Sequence, residues 1–160
     1  ESGAPTAGGD MHARMNDKRI KKLNPLKSRR DLFETVGDPD APIGIVSWGS
    51  VSGVALEAVD AARREGIKIK LLIPRLLFPI SEEVFEDFFA SVRAGLVVEQ
   101  SHQGQLYRLI RMYVDTPRGL ASFAKSGSNP IRPGEVLDRV REMVTTLQNS
   151  AASKSVPAES

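Results

Sequence analysis

The feature that most constrains this chain is a regular alternation of short apolar runs with helical patterns, which begins near residue 43. The first run is almost wholly apolar, as expected for a parallel strand that helices cover on both faces. Between the runs, apolar residues recur at helical spacing, which predicts repeated strand–helix units. The four predicted strands are Ile43–Trp48, Ile67–Ile73, Leu96–Glu99 and a weaker Leu120–Ala124.

Each predicted strand is followed by a helical pattern with its own start or stop signals. The first helix ends at Gly66, a residue suited to the left-handed position that follows a helix. The second begins after Ser81, whose side chain is a candidate N-cap. The third stops before Pro117, and the fourth begins at Pro133, a favoured first helical residue.

These units predict a particular order of strands. Helical crossovers between parallel strands are right-handed, and the second strand must leave room for the third. We therefore expect an α/β domain of three layers, α/β/α, with a doubly wound, mainly parallel sheet of order 2-1-3-4. In such a sheet small molecules bind where the order reverses, so the loops Gly49–Gly53 and Gln100–Gln105 should face each other across a crevice.

One side of this crevice is a turn that contains Gly49, Ser50 and Gly53. Because it leads into a helix N-terminus, its backbone N–H groups are candidates for binding an anion. The turn lacks the glycine spacing of dinucleotide-binding loops and of phosphate-binding loops, and no acidic residue closes the second strand to hold a ribose. A tight structural turn is therefore the favoured interpretation, and a phosphate site is the alternative.

The other side of the crevice is a polar loop in which a carboxylate and an imidazole lie close in sequence. Adjacent residues of a strand point to opposite faces, and no third group orients Glu99 and His102 as an acid–base pair. A hydrogen-bonded loop that touches a neighbouring domain is favoured, and no catalytic residue is assigned. The candidate crevice or interface residues are Gly49, Ser50, Gly53, Glu99, Ser101, His102, Gln103, Gly104 and Gln105.

Metal sites and disulfides are not expected in this segment. The chain has no cysteine, and its two histidines, His12 and His102, are isolated and outside any metal-binding motif. The lack of cysteine is compatible with a reducing cytoplasm, and no apolar run approaches the roughly 20 residues that span a bilayer. We expect a cytoplasmic protein that does not enter the membrane.

Positive charge is concentrated in residues 11–34, which contain eight basic and three acidic side chains, although the whole chain has a net charge of only +2. The apolar stripe of this segment is thin, and Pro25 is expected to break it at Asn24. We predict a basic helical arm over 11–36 and an α/β domain over 37–148. The remaining residues, 1–10 and 149–160, are predicted to be a disordered lead-in and tail.

The basic arm has two possible roles. Lysine and arginine bind phosphate with release of counterions, so nucleic acid is one candidate partner. The arm has no aromatic residue before Phe33 and no nucleic-acid-binding fold around it. The favoured role is a surface that is solvated or docked on another protein.

Several separated motifs, in the same order along the chain, resemble one family of enzymes. They are Met11-His12-Ala13-Arg14-Met15 followed by Lys18-Arg19, then Ile45-Val46-Ser47-Trp48-Gly49-Ser50, Pro74-Arg75-Leu76-Leu77 with Pro79, Val97-Val98-Glu99-Gln100-Ser101 with Gly104-Gln105-Leu106, and Gly127-Ser128-Asn129-Pro130 before Pro133. Together they resemble the C-terminal part of the alpha subunit of 2-oxoacid:ferredoxin oxidoreductases. These are thiamine diphosphate and iron–sulfur enzymes that act on 2-oxoglutarate or pyruvate.

The resemblance implies a transketolase C-terminal-like domain that supports the assembly without performing chemistry. Thiamine diphosphate, magnesium and iron–sulfur clusters would then lie elsewhere in the full enzyme, which forms acyl-CoA by oxidative decarboxylation. The implied partners are the other domains, the beta subunit, ferredoxin and coenzyme A, and not membrane or nucleic acid. The alternative is an independent module that binds phosphate, a nucleotide or coenzyme A in the crevice.

Overall fold

The structure is a computed structural model, and it describes residues 8–154. Its helices are α1 (Gly9–Leu23), α2 (Val51–Arg64), α3 (Glu82–Phe89), α4 (Gln105–Tyr113) and α5 (Pro133–Lys154), with 3-10 turns at Asn24–Ser28 and Arg30–Leu32. Its strands are β1 (Phe33–Gly37), β2 (Ile43–Ser47), β3 (Ile69–Pro74), β4 (Ala94–Glu99) and β5 (Gly119–Ala124).

The sheet has the order β1-β3-β2-β4-β5, which confirms the predicted order 2-1-3-4 for its parallel strands. In the central pair β2–β4, Ser47 lies opposite Val98. The edge strand β1 pairs antiparallel with β3, and its first four residues fall within 11–36, which were predicted to form a helical arm. This strand is only five residues long, and its burial does not alternate from residue to residue, so its sequence carries no strand signal that separates it from the end of an arm.

Two apolar cores lie on opposite faces of the sheet, which confirms the predicted three layers. On one face α2 and α5 pack over side chains that include Ile45, Leu71 and Val98. On the other face α3 and α4 pack over Val46 and Leu72. The alternation of these buried residues along β2 and β3 follows from the period of two in a strand.

Most of the predicted lead-in (residues 1–7) and half of the predicted tail (residues 155–160) lie outside the described residues. Within the described part, α1 already begins at Gly9, and α5 continues to Lys154, past the predicted start of the tail at Asn149. The weak apolar pattern after Leu147 gave no helical signal. The helix continues there through small residues that do not oppose it.

The arm is in contact with the rest of the domain after α1 ends. Pro25 lies in the 3-10 turn that follows Leu23, at the predicted break. Lys27 of this turn pairs with Glu82 of α3 at 3.2 Å, and Arg30 of the next 3-10 turn pairs with Glu83 and Asp87 at 2.5 and 2.8 Å. These pairs are exposed, so each contributes little to stability, but together they orient the two turns on α3.

Ser81 does not cap α3 as the sequence suggested. Its side chain makes no cap hydrogen bond; instead its hydroxyl donates to the backbone carbonyl of Lys27. The hydroxyl thus contacts the arm, and its oxygen accepts no hydrogen bond from the first N–H groups of α3. Ser81 therefore attaches the arm to the domain.

Lys70 of β3 is a charged residue in the interior, with only 5% of its surface exposed. Its Nζ donates to Ser91 Oγ at 2.9 Å and to the Pro39 carbonyl at 3.3 Å, and it lies 4.7 Å from the centre of the Phe88 ring. Burial lowers the pKa of this amine, and the nearby Asp40 opposes the shift only in part. Lys70 therefore joins two loops at the amino edge of the sheet.

The lowered pKa of Lys70 predicts a dependence of stability on pH. The folded state holds this proton less tightly than the unfolded state, so the unfolding free energy should rise as the pH rises towards the unfolded lysine pKa of about 10.4. Lys70→Met lacks this contribution. The unfolding free energies of the wild type and of Lys70→Met are measured with urea at pH 7 and at pH 10. The wild-type value minus the variant value should be larger at pH 10 than at pH 7. The prediction is contradicted if this difference in unfolding free energy is the same at both pH values or is smaller at pH 10.

Candidate functional site at the carboxyl edge of the sheet

The crevice at the switch point is present between the ends of β2 and β4. Because Ser47 lies opposite Val98, the loops that follow these two strands leave the sheet side by side. A cavity of about 310 Å³ lies here, and its walls come from the start of α2, from the end of β4 and from the loop after β5. The residues that line it are Ser50, Val51, Val54, Gln100, Gly127, Ser128, Pro130 and Ile131.

The predicted crevice residues divide between this cavity and a neighbouring loop. Of the candidates, only Ser50 lines the cavity. The segment from Ser101 to Gln105 instead forms the connection between β4 and α4. The third wall, Gly127–Ile131, was not among the candidates, because a loop of small residues carries no signal of where it folds.

Glu99 is 99% buried and serves the N-terminus of α4. Its carboxylate accepts hydrogen bonds from the backbone N–H groups of Leu106 and Tyr107 at 3.0 and 3.1 Å, and from Ser101 Oγ at 2.8 Å. The first N–H groups of a helix have no partner within the helix, and a negative charge there is favoured by the helix dipole. Glu99 is thus a cap supplied from the preceding strand.

The loop that Glu99 holds has an unusual backbone. Gln103 and Gly104 both have left-handed conformations, with φ of 70° and 68°. A Cβ atom on Gly104 would lie 2.6 Å from Ser122 Oγ, so β5 closes against the loop at this glycine. His102 is exposed at the surface of the loop, and among the described hydrogen bonds none joins it to Glu99.

Gln100 holds the opposite wall of the crevice. Its side-chain amide donates to the carbonyls of Gly127 and Asn129 at 3.2 and 3.3 Å, and its Oε1 accepts from the N–H of Ile131 at 3.3 Å. The same loop is also held at its start by Lys125, whose Nζ contacts the Glu135 carboxylate at 2.9 Å. The polar groups at the end of β4 are therefore used to position loops of this domain.

The N-terminus of α2 is open towards the crevice. Ser50 makes no side-chain cap, the first turn of the helix contains no acidic residue, and Gly49 has a φ of 61°. Ser52 Oγ is buried without a hydrogen-bond partner among the described residues, but Ser52 is not part of the cavity lining. This geometry accommodates either the structural turn or the phosphate site, and the phosphate site stays a prediction.

The described residues include no group of three or more His, Asp or Glu side chains placed to hold a metal ion. In the same part of the chain, no helix combines the length and the apolar character needed to cross a membrane.

The fold and the crevice define a class: a doubly wound α/β domain with one antiparallel edge strand, whose polar residues at the switch point hold its own loops. Residues 41–136 match the model of the pyruvate:ferredoxin oxidoreductase core domain II family. The match covers more than half of the chain. The chain belongs to this family, which confirms the resemblance found in the sequence.

The relatives of this chain include subunits of 2-oxoacid:ferredoxin and ketoisovalerate oxidoreductases. Subunit alpha of 2-oxoacid:ferredoxin oxidoreductase 2 from Aeropyrum pernix is 30% identical over 149 residues, which covers 91% of this chain and 23% of that subunit. The ketoisovalerate oxidoreductase subunit VorB from Methanothermobacter marburgensis is 36% identical over 123 residues, covering 77% of this chain and 34% of that subunit. The chain therefore spans about a quarter to a third of the length of these relatives.

Solved structures agree with this assignment. A 2-oxoglutarate:ferredoxin oxidoreductase from Magnetococcus marinus, with 2-oxoglutarate, coenzyme A and succinyl-CoA bound, superposes with a TM-score of 0.76 at 32% identity. The superposition covers 89% of this chain and 25% of that one. A split-gene transketolase matches with a TM-score of 0.56 at 16% identity, over 71% of this chain and 41% of that one, and shows the shared fold alone.

Proposed function

We propose that this chain is a structural and interaction domain of the alpha subunit of a 2-oxoacid:ferredoxin oxidoreductase. The observation that carries the proposal is the use of Glu99. Both oxygens of this buried carboxylate at the switch point accept hydrogen bonds from α4 or Ser101, so Glu99 holds a loop of its own domain and is not turned towards the crevice as an acid or base. Chemistry would then take place in other domains, and this one would position them.

The assembled enzyme would oxidatively decarboxylate a 2-oxoacid and transfer the acyl group to coenzyme A, with electrons passing to ferredoxin. The relatives' names support a 2-oxoacid as the substrate class. Thiamine diphosphate supplies the decarboxylation chemistry when bound, and it would lie with magnesium and the iron–sulfur clusters outside this segment. The partners would be the other domains of the alpha subunit and the beta subunit, in the cytoplasm.

The experiment compares the purified chain with the full-length enzyme. Each is supplied with 2-oxoglutarate, pyruvate or 2-oxoisovalerate, together with thiamine diphosphate, magnesium, coenzyme A and an electron acceptor. The full enzyme is expected to reduce the acceptor with at least one 2-oxoacid, and the isolated chain should not exceed a heat-killed control. Reduction by the isolated chain would refute a supporting role, and no reduction by the full enzyme would refute the assignment of activity.

A substitution in the assembled enzyme tests whether the exposed His102 takes part in catalysis. If the domain only supports the assembly, His102→Ala should leave kcat/KM within about twofold of the wild type, whereas loss of a general acid or base typically costs about 100-fold or more. The exposed Glu57→Ala on α2 is the control for the effect of a surface substitution. A 100-fold loss confined to His102→Ala would place this loop in the active site.

A further inference from the structure

Helix α1 differs from the other helices of the domain because none of its residues is buried. One surface of the helix combines four basic side chains with two methionines and a single acidic residue: Arg14, Lys18, Lys21, Lys22, Met11, Met15 and Asp17. A further apolar residue, Ile20, is 51% exposed. An isolated helix of this length is marginal in water, because most helical stability in proteins comes from packing of an apolar stripe. The domain alone provides little of that packing.

The net charge of α1 indicates what kind of surface would cover it. The helix has five basic and two acidic residues, so a partner of negative potential would be attracted to it. Methionine is flexible and polarisable, and it adapts to irregular apolar contacts. A shallow apolar groove with an acidic rim complements both properties.

Part of α1 lies within the region that this chain shares with two much longer subunits. The Aeropyrum relative and the Magnetococcus structure match 91% and 89% of this chain. The residues that follow Leu23 are too few to reach either value, so both matches include part of α1. About three quarters of each of those subunits lies outside the match, and surfaces in that remainder are the nearest candidates to cover the helix.

We propose that α1 is a docking helix that binds an acidic groove in the remainder of its own alpha subunit. Because the two surfaces would belong to one polypeptide, their effective concentration is high, and a modest interface is sufficient to hold them together. The proposal rests on the proposed function for the existence of that larger subunit. Beyond the proposed function, the docking proposal names the segment that docks, α1, and the negative charge of the surface that binds it.

The composition of α1 favours a protein groove over other anionic partners. Helices that lie on membranes usually present tryptophan, phenylalanine or leucine on the apolar face, whereas the apolar residues that share the basic surface of α1 are Met11 and Met15. Proteins that bind single-stranded nucleic acids commonly add aromatic stacking platforms, and α1 has no aromatic residue. Membranes and nucleic acids therefore become outcomes of the test.

The test is hydrogen exchange of residues 9–23 in the full-length assembled enzyme and in the isolated chain. Docking should slow exchange of α1 roughly tenfold or more in the full enzyme, while Ile43–Ser47 should be protected in both. The double variant Arg14→Glu/Lys21→Glu should remove this additional protection. The control Arg118→Glu/Arg132→Glu reverses two exposed charges elsewhere and should leave the protection intact.

Several results would overturn the proposal. Equal exchange of α1 in both proteins would show that nothing docks on it, and protection that survives Arg14→Glu/Lys21→Glu would exclude an acidic groove. Protection that appears only after adding vesicles of phosphatidylserine and phosphatidylcholine, or a mixed-sequence DNA duplex, would identify a membrane or a nucleic acid instead. Acceptor reduction is measured on the same full-length samples, so loss of the activity assignment is distinguishable from loss of docking.

Discussion

Replacing Glu99 with alanine is expected to lower the melting temperature of the domain by about 10 °C. The change leaves the N–H groups of Leu106 and Tyr107 without their acceptor, together with the Ser101 hydroxyl. Hydrogen bonds to a charged group contribute about 1.5–3 kcal/mol, and unsatisfied buried partners add a desolvation cost, so a loss of about 3 kcal/mol is expected. For a domain of this size, each kcal/mol shifts the melting temperature by about 3 °C.

Two further variants make this result specific to the cap. Glu99→Gln keeps one acceptor oxygen but places an amide N–H₂ group towards the donors of α4, so its melting temperature should lie between those of the wild type and Glu99→Ala. Glu57→Ala removes an exposed carboxylate from the middle of α2 and should change the melting temperature by less than about 2 °C. A shift of that small size for Glu99→Ala would show that the cap does not hold α4.

The second large effect is expected from Gly37→Ala, at the end of the edge strand. Gly37 has a φ of 107°, a conformation that residues with a side chain rarely adopt, and a Cβ atom there would lie 2.4 Å from the backbone carbonyl oxygen of Ile69. A backbone oxygen cannot rotate away as a side chain can. The strained backbone and the overlap together should cost about 3 kcal/mol, either in global stability or by detaching β1 from β3.

Urea unfolding and hydrogen exchange separate these two consequences. Loss of global stability moves the unfolding midpoint, whereas local detachment leaves the midpoint nearly unchanged and accelerates exchange in Phe33–Gly37 alone. Gly134→Ala is the matched control, because Gly134 lies in the first turn of α5 with open space around its Cα. That substitution should be neutral or stabilise the domain by up to about 1 kcal/mol. If Gly37→Ala neither moves the unfolding midpoint nor accelerates exchange in Phe33–Gly37, the geometry described for this strand end is contradicted.

The parallel part of the sheet was predictable because its physical causes are local and repeated. The runs that became β2 and β3 are buried on both faces, so they are apolar at nearly every position. The handedness of the crossovers then leaves little choice of order. The edge strand β1 was missed because an edge position requires neither continuous apolar character nor length, and Phe33–Gly37 has neither.

The candidate site was predictable in position but not in detail. Strand order alone brings the loops after Ser47 and Glu99 to the same edge of the sheet. The direction in which Glu99 points depends on where the N–H groups of α4 end, and the partners of Gln100 depend on a loop about 30 residues further along the chain. Such contacts are set by tertiary packing, so they cannot be predicted from the neighbouring residues in the sequence.

The side chains of Glu99 and Gln100 point to opposite faces of the sheet, and this affects the register of β4 with its neighbouring strands. One residue serves the helical layer that contains α4, and the next serves the loop that leads into α5 on the other face of the sheet. A slip of β4 by one residue would exchange the two side chains. The carboxylate would then meet backbone carbonyl oxygens, which repel it, and α4 would lose its anion. A one-residue slip would thus be unfavourable in both layers at once, so these two residues favour the native register of the central strands.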